Sequence, residues 1–153
     1  MAVHKINDAL YDEPFLLVAL HSNLKDYALA YALNKMANTG FKRAKKDFEL
    51  NADSSFPYFV WEDTKSESYW ALVANQSTTA ALTVNNDLFQ NQSTLSYQRL
   101  LPELKEVDFF IKIEEGEYVD KKKLIENIMA VPNIRAAYEI DTDKLKSKNN
   151  LIF

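Results

Sequence analysis

Glu103 and Asp108, five positions apart, and the adjacent pair His21-Ser22 are the residues whose types could do chemistry. Two carboxyl groups divide general-acid and general-base work when their surroundings keep one protonated and the other ionised. Glu103, however, stands one residue after Pro102, where a carboxylate favours the positive end of a helical start. Asp108 precedes the apolar run Phe109-Phe110-Ile111, where it can accept backbone amides at a strand entry. Both are therefore read as structural. A serine nucleophile needs a histidine in hydrogen-bond reach and a third group that orients it. Adjacent residues leaving a strand point to opposite sides, so Ser22 is read as a helix cap and His21 as a hydrogen-bonded side chain. No catalytic residue and no enzymatic activity follow from these types.

Other sites are excluded by counting. There is no Cys, and His4 and His21 are the two histidines, seventeen positions apart where a metalloprotease helix needs four. Gly40 and Gly116 are the two glycines, too far apart for a phosphate-binding loop or a dinucleotide fingerprint. Glu114, Glu115 and Glu117 surround Gly116 but lack the ligand spacing of a calcium loop. The expectation is no metal and no cofactor.

Charge bears on partners. Eighteen Lys and Arg against 22 Asp and Glu give a net charge of −4, which speaks against a dedicated duplex-DNA binder. The basic residues nevertheless form three groups: Lys42, Arg43, Lys45 and Lys46; Lys121, Lys122 and Lys123; and Lys144, Lys146 and Lys148. With aromatics such as Tyr58 or Tyr69 alongside, such groups could track an RNA backbone and stack its bases. The plainer reading is a set of solvated faces, and Lys121 to Lys123 in a first helical turn oppose the helix dipole. The end Leu151-Ile152-Phe153 follows a charged, polar stretch over 141–150. It either folds back on its own core or docks on another chain. The longest strongly apolar run, Phe15 to Leu20, is far shorter than the roughly 20 residues that span a bilayer. Met1 to Asp8 has no long apolar core after Lys5, so the expected location is cytoplasmic.

The elements that position these residues can be read from periodicity. Phe15 to Leu20 has the length and apolarity of a central strand covered on both faces. A helix over 24–37 follows, capped by Ser22 or Asn23 and apolar around nearly its whole circumference, with Gly40 suited to a left-handed residue after its end. Phe41 to Leu50 reads as one solvated edge strand. Phe56 to Glu62 and Tyr69 to Asn75 make a hairpin across a polar linker. In 75–96, 14 of 22 residues are Asn, Gln, Ser or Thr, which predicts a variable loop with at most one short element around Ala80 to Leu88. Pro102 opens a helical turn, Val107 to Ile113 is a buried strand, Asp120 caps a helix over 121–130, and Ile134 to Asp141 is a half-buried final strand. The class is α+β in one domain over 1–153: a mostly antiparallel sheet with two helices on one face, ferredoxin-like or related.

Leu101-Pro102-Glu103-Leu104-Lys105-Glu106-Val107-Asp108-Phe109 resembles the signature of the IPExxxVDY family of small bacterial proteins, with Leu101 in place of Ile and Phe109 in place of Tyr. Leu20-His21-Ser22 with Asp26-Tyr27, Phe56-Pro57 through Asp63, and the ending from Lys144 to Phe153 are similar to family features as well. The resemblance implies no activity, substrate or partner. The function expected is a non-catalytic binding or adaptor module that engages another macromolecule, a protein partner or a second copy. Its expected surfaces are the edge at Phe41 to Leu50 and Leu151, Ile152 and Phe153. RNA or ribosome association through the basic groups is one alternative, and a small-ligand-sensing regulatory domain is another.

Overall fold

The computed structural model describes residues 14–52, 54–84, 93–115 and 118–153. They form β1 (Phe15–Ser22), α1 (Asp26–Met36), β2 (Lys42–Arg43), β3 (Phe48–Asn51), β4 (Ser54–Phe56), β5 (Tyr58–Asp63), β6 (Ser68–Ala74), β7 (Gln76–Val84), β8 (Ser93–Arg99), β9 (Phe109–Glu114), α2 (Lys121–Met129) and β10 (Ile134–Ile140). Single 3-10 turns stand at Pro102–Leu104, Thr142–Lys144 and Lys148–Leu151. The main sheet has six strands in the order β10-β1-β9-β6-β5-β2, and each neighbouring pair is antiparallel. The class is α+β. No helix of the described residues is long and apolar enough to cross a membrane.

Side chains alternate across a strand, so a strand covered on both faces must be apolar at every position. β1 meets that demand. Val18 and Leu20 face a layer made by both helices, where Leu29, Leu33, Leu124 and Ile128 pack with Leu72, Ile111 and Ile113. Leu17 and Ala19 face the other side with Val73 and Phe110, under a layer of Leu100, Leu101, Val107 and Leu151. The chain therefore has two apolar layers, one roofed by helices and one roofed by irregular backbone.

Several local expectations are corrected. The first helix is not apolar all round: Leu29, Ala30 and Leu33 are buried, while Tyr27 and Tyr31 are 63% and 67% exposed. The helix roofs the sheet from outside, so only one stripe is covered. Neither Ser22 nor Asn23 is its cap residue; Lys25 holds that position without a side-chain bond. The Ser22 hydroxyl instead donates to the Asn133 carbonyl at 2.7 Å and accepts from the Leu24 amide at 3.2 Å. After the helix the left-handed residue is Asn38, with φ 58°, not Gly40. Gly40 is needed for space, since a Cβ there would lie 2.8 Å from Trp61 Nε1. The stretch 41–50 is two short strands with different partners, β2 on β5 and β3 on β4, rather than one edge strand. The polar stretch 75–96 is not a loop: β7 and β8 form a separate two-stranded ribbon, and the connection 85–92 lies outside the described residues. Asp120 does cap α2, its carboxylate accepting from the Lys123 amide at 3.2 Å.

Backbone that roofs a sheet without being helix or strand must find partners for its buried amides and carbonyls. Asn75, with no exposed surface, supplies them at the junction of β6 and β7. Its amide donates to the Asp108 carbonyl at 2.9 Å, and its carbonyl accepts from the Leu100 amide at 2.8 Å. Its side chain accepts from the Leu101 amide at 2.9 Å and donates to the Leu104 and Val107 carbonyls at 2.9 and 3.0 Å. Asn75→Ala takes the side-chain partner from the Leu101 amide and the Leu104 and Val107 carbonyls, of which the Leu104 carbonyl keeps the Val107 amide at 3.0 Å; the cost is about 1–3 kcal/mol for each group that stays buried and unpaired. The expected loss is about 2 kcal/mol or more in urea unfolding; a change within about 0.5 kcal/mol, the range of a neutral surface substitution, would refute this role.

Candidate functional site

On the face opposite the helices, the roof stops short of the β5 end of the sheet and leaves a cavity of 360 Å³. Alternation places its floor and walls: Tyr58, Val60 and Glu62 from β5, Tyr69 and Ala71 from β6, Lys112 and Glu114 from β9, and the Phe153 ring from the chain end. Trp61 and Trp70 border it from the sheet, their rings packed with Phe41 on the helix side at 6.1 and 6.3 Å between centroids. The volume falls in the range of small-molecule sites.

Lys112 is the charge at the cavity floor. Its side chain is 8% exposed, and a buried ammonium must be paired and hydrogen-bonded to be tolerated. Nζ donates to the Leu151 carbonyl at 2.5 Å, meets Glu114 Oε1 at 2.8 Å, and lies 4.9 and 5.1 Å from the Phe15 and Phe153 ring centres. Glu114 thus balances Lys112. Glu62 is in no ion pair of the described residues; its hydrogen bond is a long one, 3.4 Å from the Tyr69 hydroxyl. Its negative charge, helped by burial and by Glu115, raises the Tyr69 phenol above its usual 10.0. Neither Lys112 nor Glu62 was singled out from the sequence. The signal was there for Lys112, a lone cation at an inward position of Phe109-Phe110-Ile111-Lys112-Ile113.

The sequence-predicted residues lie elsewhere or are already occupied. Glu103 accepts from the Ser147 hydroxyl at 3.0 Å. Asp108 accepts from the Ser22 amide at 2.9 Å and meets Arg135 at 3.5 Å, so the two carboxylates are tied to different elements. Pro102 opens its 3-10 turn, and Leu101, Val107 and Phe109 are buried as core. His21 Nε2 is 2.8 Å from the Tyr138 hydroxyl, with the two rings stacked, whereas Ser22 bonds to Asn133 and not to His21. Burial and, secondarily, Glu106 push the Tyr138 phenol up.

The three basic groups are set apart. Lys42 and Arg43 are on β2 at one sheet edge, with Lys45 and Lys46 exposed just after; Arg43 pairs with Asp47. Lys121 to Lys123 start α2, and Lys121 pairs with Glu139 of β10, at the opposite edge, at 3.0 Å. Five interstrand steps of about 4.8 Å separate those edges, or about 24 Å. Lys144 and Lys146 belong to the tail, and Lys148 sits 5.7 Å over the Phe15 ring. The tail itself is engaged within its own chain, contrary to a free docking end. Leu151 is buried, Asn150 donates to the Leu100 carbonyl at 2.8 Å, and Phe153 packs on Phe48 and Tyr58 at 5.0 and 5.7 Å. Only Ile152 of the three end residues is exposed. Of the acidic group, Gly116 and Glu117 lie outside the described residues.

The field of Glu62 can be measured. Glu62→Gln removes the carboxylate that disfavours the tyrosinate, so the Tyr69 pKa moves down toward 10.0, read by NMR titration of its ring. An unmoved Tyr69 titration would show that the carboxylate does not act on the cavity. Comparison of the chain with protein-family models, with curated proteins and with solved structures finds no match.

Proposed function

We propose that this chain is a non-catalytic binding protein and that its cavity takes a small organic cation with an apolar body. The observation that carries the reading is the unbalanced carboxylate of Glu62 at an aromatic-walled cavity of 360 Å³. The face of a tyrosine or phenylalanine ring attracts a cation by about 0.5–2 kcal/mol, more as water is excluded. Tyr58, Tyr69 and Phe153 supply such rings, and Lys112 shows the same chemistry within the chain by lying against Phe15 and Phe153. Lys112 itself leaves little for an anion, since Glu114 and the Leu151 carbonyl use its donors.

The order β10-β1-β9-β6, with a helix after β1 and another after β9, supports a ferredoxin-like reading of the fold, to which β5 and β2 add an edge. The segment 101–109 supports membership of the IPExxxVDY family. On that reading the motif works as the roof of the second core layer: Leu101 and Val107 fill it and Asp108 fastens it to β1. An adaptor role toward a macromolecule has a narrower footing than the sequence suggests. The expected edge at 41–50 shrinks to Lys42 and Arg43. Among the described residues the longer unpaired edge is β10.

Trp61 and Trp70 border the cavity from the sheet but turn their rings to the helix side, so binding is read by titration calorimetry. Phenethylammonium, phenethyl alcohol and phenylacetate share one aromatic body and differ in charge. The ammonium compound is expected to bind saturably and about tenfold more tightly than the alcohol, corresponding to about 1.4 kcal/mol, with the carboxylate weakest. Glu62→Gln should bring the ammonium compound to the level of the alcohol. Equal binding of the three, or binding of none, would sink the proposal.

A further inference from the structure

Strand register lays out the cavity floor in rows, because residues directly opposed across a strand pair share a face. Lys42 stands opposite Val60, Val60 opposite Ala71, and Ala71 opposite Lys112, so one row on the face away from the helices has a lysine at each end. Arg43 supports this placing of Lys42 independently: it lies 5.8 Å over the ring of Phe59, which belongs to the helix-side core, so its neighbour Lys42 takes the other face. The next row runs Glu62, Tyr69, Glu114. Each lysine therefore has a glutamate beside it in the adjoining row. The two combinations differ. Lys112 and Glu114 are closed on each other at 2.8 Å. Lys42 and Glu62 are open: Lys42 is exposed, and among the described residues neither is in an ion pair. Their positions are diagonal across β2 and β5, about 7–8 Å apart, and the half-exposed Val60 adjoins both.

We propose that the ligand of this cavity is zwitterionic, an α-amino acid with an apolar side chain, whose ammonium group meets Glu62 and whose carboxylate meets Lys42. The proposal rests on the cation reading of the cavity and adds the second charge. An α-amino acid carries both charges on one carbon, so a single small molecule bridges the open pair and gives each protein charge an opposite neighbour. Its side chain then lies over Val60 and Ala71, against the rings of Tyr58 and Phe153. A bare amine, by contrast, brings its own positive charge to the side of the floor where Lys42 already stands, and like charges repel. A carboxylate on the same molecule turns that repulsion into attraction. At the other end of the row Lys112 offers no such partner, since Glu114 and the Leu151 carbonyl hold it. The carboxylate is thereby directed to the β2 side.

L-Phenylalanine and phenethylammonium share an aromatic body and an ammonium group and differ by the carboxylate. Titration calorimetry of the full chain near neutral pH is expected to show L-phenylalanine binding about fivefold or more tightly, as one added charge-assisted hydrogen bond gives. Lys42→Met removes the charge at an exposed position of a two-residue strand, where the fold does not depend on it. It should bring L-phenylalanine down to the level of phenethylammonium and leave phenethylammonium no weaker. Lys42→Glu should place L-phenylalanine below phenethylammonium. If phenethylammonium binds and is lost in Glu62→Gln, yet L-phenylalanine binds no more tightly, the zwitterion is overturned and the cation site stands. A preference for L-phenylalanine that survives Lys42→Met would overturn the assignment of the carboxylate. Binding of neither compound would sink the cation reading and this proposal together.

Discussion

The hydrogen bonds of Asn75 are the constraint on which the tail-side half of the molecule rests. A helix satisfies its own backbone and can be laid on a sheet by its side chains alone. The segment from Leu100 to Asp108 cannot, because it is neither helix nor strand, yet it carries Leu100, Leu101 and Val107 into the core. One amide side chain has two donors and an acceptor, enough to close a turn of this kind at three points while its own backbone closes two more. Asp108 completes the fastening by receiving the Ser22 amide where β1 ends. The two ends of the roof are thereby fixed to β6 and β1, with β9 emerging between them.

The tail lies over the same layer, and its path is set by a buried charge. An ammonium at an inward strand position would be strongly disfavoured without partners. The carbonyl of Leu151, the Glu114 carboxylate and two phenyl faces surround Lys112. Because the last turn of the chain ends over Lys112, the Phe153 ring is left standing as a wall and the sheet beyond it uncovered. The cavity thus follows from the solution to a solvation problem at one residue.

What was legible in the sequence was whatever periodicity alone decides. The two-sided burial of β1, the β5–β6 hairpin and the capped second helix each leave a local pattern of apolar positions, and the structure has all of them, whereas a bulge at Arg135 breaks the alternation expected of the last strand and puts Ile134 and Ala137 together on the helix side. The ribbon of β7 and β8 was missed because its pairing is made by the backbone, and a Ser- and Thr-rich stretch can form strands without an apolar alternation. The first helix was misjudged because tyrosines at 27 and 31 count as apolar in a sequence but stand in solvent here. Gly40 shows a different gap: what it answers to is the indole of Trp61, far away in sequence, and no local rule anticipates such an approach. The cavity was illegible for a similar reason. Its walls come from three strands and the chain end, and Lys112 and Glu62 become a site only once the sheet has placed them.

The strand order has a consequence for how the chain is made. β1 sits between β9 and β10 and, among the described residues, pairs with no strand nearer to it in sequence. As the chain leaves the ribosome, the apolar run from Phe15 to Leu20 therefore emerges well before Phe109 and the strands that cover its edges. Such distant pairings are slow to close, because the loop entropy is lost before the contacts form. Until β9 has followed it, this apolar strand has no strand of the main sheet to pair with. Its protection then falls to α1, which follows at once and can fold beside it, and to whatever chaperones the cell supplies.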